Sequence, residues 1–304
     1  MLALRPVWVM IILTTVAGLT AQGRRPCDAA DLVVDNVSGS DSQNDRGLVP
    51  GPPTFGPYRT IGRALAAAQP GDRIVLTPTD EPYRECVSLT GTRHSGGPVA
   101  PFQIIGNGAV LDGSEFARPT AWELVGEGIY QYQQTPPGFG LMLLEGDRLQ
   151  RVSKQDTEQA SFRLKPMQWT RLGGRFLFRP EPNRSATEYD IEMTMQTTGI
   201  SLYDVQNVEI RDLTVRGYRI DGINAHDRAT GVRLINVTCL ENGRSGVSVG
   251  GACHVRLESS RLYGNGVAQV RTEGRSELTV SDVEVDSTSA PELIRDGGRV
   301  VGDL

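Results

Sequence analysis

The sequence predicts an all-β fold, a single-stranded parallel β-helix, and two repeating patterns support this prediction. Apolar anchor residues recur at steps of 23, 24 and 23 residues in the last third of the chain. The anchors are Ile200, Ile223, Val247 and Val270. Each anchor is followed by further pairs of apolar residues at alternate positions, which is typical of short strands with one buried side. Such strands cannot bury their apolar sides alone, so we expect the repeats to stack at about 4.8 Å per coil.

The turns of these repeats carry matching polar residues. Asn242-Gly243 and Asn265-Gly266 occupy the same place in two successive coils. Stacked asparagines can bond to one another and to the backbone along the stack. The pattern GIxL, VxI, LxV, xNG, repeated at about 23 residues, resembles the right-handed parallel β-helix repeats of the pectin-lyase-like superfamily. The resemblance covers about the last third of the chain and implies a fold more directly than an activity.

Residues 1–21 are typical of a secretory signal peptide. Arg5 precedes an apolar run from Val7 to Leu19, and a small residue, Ala21, stands at a plausible cleavage point. The run is short for a membrane span, although an uncleaved N-terminal anchor is the alternative interpretation. We therefore expect a secreted, periplasmic or cell-surface protein with no stable membrane span after cleavage.

The four cysteines of an exported chain favour disulfides. Cys27 and Cys86 flank the first folded segment and are candidates for a disulfide or for two free thiols. Cys239 occupies an inward position equivalent to Val215 and Leu262. We expect Cys239 to be a small buried apolar residue rather than half of a bridge.

Residues 27–112 are predicted to form an N-terminal cap and the first coils. A helix is expected from about Tyr58 to Gln69, with Thr60 near its start and Pro70-Gly71-Asp72 as a stop signal. This segment is similar to the opening of many secreted β-helix proteins, and the resemblance implies that the helix covers the edge of the first coil. The loop before it is rich in Ser, Asp, Asn and Gly, and could hold Ca²⁺ or be a solvated loop.

Two further segments depart from the repeat. Residues 113–197 hold most of the aromatic residues between Gly and Pro turns, which favours an inserted antiparallel β subdomain made of hairpins. Its aromatic side chains could stack on sugars, but a buried core is the commoner role of Trp in small β modules. Residues 287–304 show no capping helix, and we expect this tail to fold over the last coil.

The regular coils, residues 198–286, contain one irregularity. The first and second anchors are eight residues apart in three coils, but Ile223 and Val232 are nine apart. The extra residue predicts a bulge beside His226 and Asp227, and bulges often re-aim side chains at functional sites. The neighbouring outward positions are polar or small, and the resemblance implies that a polysaccharide binds along this face.

A uronate lyase or epimerase needs a group that neutralises the sugar carboxylate and a base for the adjacent proton. The candidate catalytic residues are Asp221, His226 and Asp227. The candidate substrate-binding residues are Tyr218, Arg219, Asn224, Arg244 and Arg271. The run YRIDGINAHD is similar to the Tyr-x-x-Asp-Pro-His-Asp motif of the mannuronan C5-epimerases, except that four residues separate Asp221 from His226 where the motif has one proline. Lysine occurs only at positions 154 and 165, outside the coils, so a lysine-based lyase is not favoured.

Other functions stay open at this point. Inverting hydrolysis by Asp221 and Asp227 is less favoured, because the chain lacks the paired-Asp and Gly-His-Gly signatures of polygalacturonases. Asp221, Asn224 and Asp227 could instead form turns in a non-catalytic carbohydrate-binding or structural β-helix protein. A net charge of −5 gives no nucleic-acid signature. We expect a monomer with an acidic polysaccharide as its partner, and Ca²⁺ is the cation to test.

Overall fold

The computed structural model describes residues 29–42, 56–132, 138–152, 164–172 and 174–304. The signal segment 1–21 and Cys27 lie outside these ranges, so export and the Cys27–Cys86 disulfide stay predictions. Cys86 is exposed, and its Sγ lies 3.5 Å from Oε1 of Gln196. In the described part of the chain, no helix has the length and apolar character that crossing a membrane requires.

The N-terminal part of the chain forms a cap and the first coil. Its elements are β1 (Asp31–Val34), α1 (Ile61–Ala67), β2 (Arg73–Leu76), β3 (Val87–Thr90), a 3₁₀ turn (Thr92–His94), β4 (Phe102–Ile105) and β5 (Val110–Asp112). Helix α1 begins where the Thr60 hydroxyl accepts a hydrogen bond from the Arg63 amide, a common role of threonine. Ile61 and Leu65 are buried among β1, β2 and β3. The helix therefore covers the start of the coils, which confirms the predicted cap, although it is shorter than predicted.

The inserted β subdomain lies between β5 and the regular coils. Its strands are β6 (Ser114–Phe116), β7 (Trp122–Gly126), β8 (Ile129–Tyr132), β9 (Met142–Leu144), β10 (Asp147–Arg148), β11 (Gln150–Arg151), β12 (Gln168–Leu172), β13 (Arg175–Arg179) and β14 (Ile191–Thr194), with 3₁₀ turns at Pro119–Ala121 and Ala186–Glu188. They form two sheets, β10-β9-β14-β6 and β11-β12-β13-β8-β7. Among the described pairs of these sheets, β11 with β12 is parallel and the others are antiparallel. Trp169, Phe176 and Phe178 are buried in a separate core, so these aromatic residues pack inside the subdomain.

The remaining strands build the coils, and their described pairs are parallel. They are β15 (Ile200–Tyr203), β16 (Gln206–Arg216), β17 (Asp221–His226), β18 (Thr230–Leu240), β19 (Ser245–Val249), β20 (His254–Tyr263), β21 (Ala268–Val285) and β22 (Leu293–Val301). The first sheet contains β3, β15, β17, β19, the start of β21 and the start of β22. The second sheet contains β1, β2, β4 and the first parts of β16, β18 and β20, followed by the middle of β21. The structure is therefore a parallel β-helix, as predicted.

The interior of the coils matches the sequence pattern. The four predicted anchors pair directly in consecutive strands and are at most 1% exposed. Cys239 is fully buried in its predicted inward position, and burial raises the pKa of its thiol to about 12. In the turns, the side-chain amide of Asn242 donates to Oδ1 of Asn265 at 3.0 Å. The predicted asparagine stacking is therefore confirmed.

Two features of the coils differ from the predictions. Strand β17 keeps an unbroken register with β15 from Ile223 to His226, so the extra residue forms no bulge in the strand. It lies in the turn 227–229, since the register resumes at Thr230, opposite Gln206. The expected tail also contains a further strand, because β22 places Leu293 opposite Val270, one more step of 23 residues.

Candidate functional site

The outer side of the first sheet presents two rows of side chains along the stack. The first row is Ser88, Ser201, Asn224, Ser248 and Arg271, and the second row, two residues further along each strand, is Thr90, Tyr203, His226, Gly250 and Glu273. The rows exist because successive side chains of a strand point to opposite sides of the sheet. Five of the eight predicted site residues form two separate groups on and beside this face, and Tyr218, Arg219 and Arg271 belong to neither group.

The first group is centred on Asp221, at the start of β17. Its carboxylate accepts hydrogen bonds from Nε and Nη2 of Arg244 at 2.9 and 2.6 Å. It also accepts from the Ser245 hydroxyl at 2.6 Å and from the Asn224 amide at 2.8 Å. Asp221 has no exposed surface, so substrate cannot reach it. This placement corrects the predicted catalytic role of Asp221, because the carboxylate is buried and its acceptor positions are used.

The predicted substrate-binding residues Asn224 and Arg244 belong to the same buried network. Arg244 keeps about a fifth of its side chain exposed, 21%, and its guanidinium carbon lies 6.0 Å from the centre of the Phe139 ring in the insert. The Asp221 bonds raise the pKa of Arg244, although burial opposes this. Arg244 and Asn224 therefore both bond to Asp221 and stabilise the first sheet. This structural role accounts for the polar residues at these positions.

Tyr218 also differs from its predicted role. Its side chain has no exposed surface, and its hydroxyl donates to the backbone carbonyl of Glu85 at 2.5 Å. Burial is the main cause that raises the pKa of Tyr218 well above its ordinary value. Because Tyr218 points into the protein, it cannot contact a polymer on the outer face. Arg219, the next residue, lies against the insert, where its backbone amide donates to the Gln196 carbonyl at 2.8 Å.

Arg271 lies two coils beyond His226. Its Nε donates to Oε1 of Glu273 at 2.5 Å, and its Nη2 is bonded to Asp296. The positive charge of Arg271 is therefore matched by two carboxylates. Since each coil adds about 4.8 Å, Arg271 is about 10 Å from His226 along the stack.

The second group lies at the opposite end of β17 and is exposed. The His226 side chain is 44% exposed, and its ring centre lies 5.0 Å from that of Tyr203 in an edge-on arrangement. Nδ1 of His226 is 3.7 Å from Oδ1 of Asp227, whose side chain is 57% exposed. The hydrogen bond between Tyr203 and Asp227 is the largest cause that raises the pKa of the Tyr203 phenol. These three side chains are brought together because β15 and β17 pair Tyr203 with His226.

A shallow depression of about 500 Å³ adjoins this group, and we call it the first-sheet depression. It is lined by Tyr203, Asp204, Asp227, Arg228 and Gly251. Arg228 is 69% exposed and donates from Nε and Nη2 to Oδ1 of Asp204, at 3.1 and 2.9 Å. The depression thus offers one guanidinium and two carboxylates beside an exposed imidazole and a phenol.

Asp221 and His226 cannot act on one substrate atom. They are five residues apart along one extended strand, which corresponds to about 16 Å. The structure therefore separates the predicted catalytic group: His226 and Asp227 stay together, and Asp221 does not join them. The sequence prediction omitted two nearby groups, Tyr203 and Arg228. Two features of the sequence could have indicated them. Tyr203 stands three residues after its anchor, as His226 does, and Arg228 lies in the turn that contains the extra residue.

No metal site is evident in the part of the chain that the structure describes. Among those residues, no group of three or more His, Cys, Asp or Glu side chains could hold a metal ion. In the described part of the acidic loop, the Asp35 carboxylate accepts from the amides of Val37 and Ser38. The Asp41 carboxylate accepts from the amide of Thr60 and from its hydroxyl. These two aspartates fix the turn and the start of α1.

Comparisons with known proteins give distant structural similarities. No protein-family model and no curated protein sequence matches the chain. One similar solved structure is the complex of XylC with xylose, at 12% identity and a TM-score of 0.40, covering 87% of this chain and 68% of that one. Another is the pectate lyase Pel9A, at 12% identity and a TM-score of 0.31, covering 84% of this chain and 62% of that one. The fold assignment itself rests on the strand pairing described above.

Proposed function

We propose that this protein is an exported enzyme that acts on acidic polysaccharide by lyase or epimerase chemistry. The observation that carries the proposal is the exposed cluster of His226, Tyr203 and Asp227, of which Tyr203 and Asp227 line the first-sheet depression. Export rests on the signal-like segment 1–21, and the mass of the mature secreted chain tests it.

The residues of this cluster suit proton abstraction beside a carboxylate. Neutral His226 can accept the proton from the sugar carbon next to the carboxylate, and Asp227 beside Nδ1 stabilises the imidazolium that forms. Arg228 lines the same depression and uses Nε and Nη2 for Asp204, which leaves Nη1 for the substrate carboxylate. The phenol of Tyr203 carries a proton that it can donate to the leaving oxygen, and the hydrogen bond with Asp227, the largest cause of the raised pKa of Tyr203, orients this phenol.

The geometry favours elimination ahead of epimerisation. In elimination, the proton leaves for His226, a carbon–carbon double bond forms, the glycosidic C–O bond breaks, and the leaving oxygen takes a proton from Tyr203. Both side chains project from the same sheet face, with ring centres 5.0 Å apart, so they reach the same face of a sugar ring. An epimerase must return the proton from the opposite face, and no described residue of this cluster lies there. We therefore place lyase chemistry first.

A second candidate is carbohydrate binding without catalysis. The first-sheet depression is shallow, and its groups are largely exposed, whereas enzymes commonly exclude water from reacting groups. The charge of Arg228 is also matched by Asp204. In that case glycan affinity would be measurable, but no sugar would be changed.

The test is incubation of the purified protein with a set of uronate polymers, with added Ca²⁺ or a chelator. We expect unsaturated products detected by ultraviolet absorbance, and a loss of at least about 100-fold in rate for His226→Ala and for Tyr203→Phe. Tyr263→Phe is the matched control, because Tyr263 is a similarly exposed tyrosine on another face, at 39%. Unchanged rates in both site variants would overturn the assigned roles. If no uronate gives unsaturated products, altered epimers or new reducing ends, the enzyme proposal fails.

A further inference from the structure

A groove of about 630 Å³ crosses the outer side of the second sheet, and we call it the second-sheet groove. Its floor carries the outward side chains of five stacked strands, Gln103, Glu209, Arg233, Arg256 and Thr279. Its edges are formed by Pro98, Val99 and Pro101 on one side and by His254 and Glu277 near the turns. Five strands extend over about 19 Å, so the groove is long enough for an extended ligand along the stack.

Most charges in this groove have a partner. Glu209 is 6% exposed, and its carboxylate accepts from Gln103 at 2.9 Å and from Nη1 of Arg233 at 3.0 Å. Arg233 also donates to the Glu258 carboxylate at 3.2 Å. Glu277 accepts from Arg299 at 2.6 Å. These pairs neutralise one another and hold their side chains in place.

Arg256 is different. It stands between Arg233 and Thr279 in the row, and its side chain makes no ion pair or hydrogen bond with the described residues. Arg233 and Arg256 stand directly opposite in neighbouring strands, and like charges in such positions repel one another. The carboxylates of Glu209 and Glu258 already pair with Arg233. The central part of the groove therefore keeps one surplus positive charge, which suits an anionic group of a ligand.

We propose that the second-sheet groove is a second binding site for acidic polysaccharide, in which Arg256 binds a sugar carboxylate. This inference rests on the proposed function for its ligand class, but not for its residues. Several coils contribute polar groups along the axis: amide and hydroxyl groups of Gln103, Asn207 and Thr279 can bond sugar hydroxyls, while Arg256 supplies a charge without a partner among the described residues. A chain of hydroxylated, carboxylated units that lies along the stack meets these groups in turn.

The second-sheet groove is separate from the first-sheet depression. The depression and the groove share no lining residue, and the turn that carries the exposed Asp227 and Arg228 projects between them. A polymer that runs along the stack on one face therefore cannot occupy the other face with the same segment. We infer that the protein holds two segments of polymer, one at each face, which would keep a long chain attached between reaction events.

The experiment is isothermal titration of the full chain with hexagalacturonate, at low and high salt. We expect two classes of binding site, one lost or weakened about tenfold in Arg256→Ala and the other lost in the double variant Tyr203→Ala/Asp227→Ala. Arg256→Lys should retain part of the affinity, because the charge remains and the planar fork is lost. Arg261→Ala is the matched control, since Arg261 is an exposed arginine on the same strand that pairs with Glu284. Arg261→Ala should bind as the wild type does.

The outcomes separate the two proposals. Binding that depends on Tyr203 and Asp227 but not on Arg256 overturns the second site and leaves the proposed function standing. Binding that depends on Arg256 alone supports the second site and refutes the first-sheet site. If hexaglutamate binds as tightly and with the same dependence on Arg256, the groove selects carboxylates rather than sugars, and the polysaccharide assignment is refuted. A wild type that binds no uronate refutes both, and circular dichroism of each variant checks that it is folded.

Discussion

Replacing Asp221 by alanine tests whether this residue stabilises the coils or takes part in catalysis. The carboxylate accepts four hydrogen bonds, two from Arg244 and one each from Ser245 and Asn224, and it has no exposed surface. Its removal leaves the guanidinium of Arg244 without its partner in a site where only 21% of that side chain is exposed. Breaking a buried ion pair by removing one partner typically costs about 3–5 kcal/mol, and the residual exposure of Arg244 places the expected loss at the lower end, about 3 kcal/mol.

The assay is urea unfolding followed by far-ultraviolet circular dichroism. We expect Asp221→Ala to lower the free energy of unfolding by about 3 kcal/mol, while the exposed Asp227→Ala should cost about 1 kcal/mol or less, since alanine tolerates the φ of 61° at this position less well than aspartate. The double variant Asp221→Ala/Arg244→Met should be less destabilised than the sum of the single variants, because it removes both charges and keeps the apolar stem. A loss below about 1 kcal/mol for Asp221→Ala, or an equal loss for Asp227→Ala, would refute this account.

Two further predictions concern pH and the turn at Asp227. Burial raises the pKa of Glu241 from 4.5 to about 7, with Asp147 and Glu192 adding to the rise against Arg216 and Arg148. The folded state therefore binds the Glu241 proton more tightly than the unfolded chain does. The contribution of this proton to the free energy of unfolding is fully present below pH about 4.5. It is lost, on the order of 3 kcal/mol, as the pH rises through about 7. Glu241→Gln should remove this dependence in urea unfolding at pH 5 and pH 8; an unchanged slope would contradict it. Gly251 has a φ of 59°, and a Cβ there would lie 2.4 Å from the Asp227 carbonyl oxygen, so Gly251→Ala should cost about 1–3 kcal/mol and reduce turnover. Gly128→Ala, with φ 73° and nothing within 4 Å, should cost stability but leave turnover unchanged, and equal turnover in both variants would show that Asp227 did not move.

The fold could be predicted from the sequence because the inward positions repeat. Each coil must place apolar side chains over those of its neighbour, and this requirement is visible as the 23-residue step. The last strand, β22, was not predicted, because its inward positions do not continue the apolar repeat. Leu293 continues the step, but Arg295 occupies the next inward position, opposite Thr272, and the strand contains Gly297 and Gly298. A coil with few apolar inward residues gives little periodic signal.

The site was predicted less well than the fold. One error, the grouping of Asp221 with His226, contradicts the alternation of side chains along a strand. Alternation gives residues 221, 223 and 225 the same parity in β17, so Asp221 does not belong to the outward row that contains His226. His226 has the opposite parity and points outward. Parity alone therefore separates Asp221 from His226. The repeat pattern could not predict the burial of Tyr218, because its hydrogen-bond partner, Glu85, is 133 residues away in the sequence, before the insert.

The extra residue explains why this one turn projects from the stack. In the coil of β17, the turn must accommodate one more residue than its neighbours between the first and second sheets. It cannot expand along the stack, because Gly251 of the next coil packs against the backbone of Asp227. It cannot expand inward either, since Ala229 must fill a fully buried position. The added length therefore goes outward, where Asp227 takes a φ of 61° and Arg228 is 69% exposed. One inserted residue thus accompanies an exposed carboxylate beside His226 and an exposed guanidinium in the same turn, while the strand that carries His226 keeps its regular register.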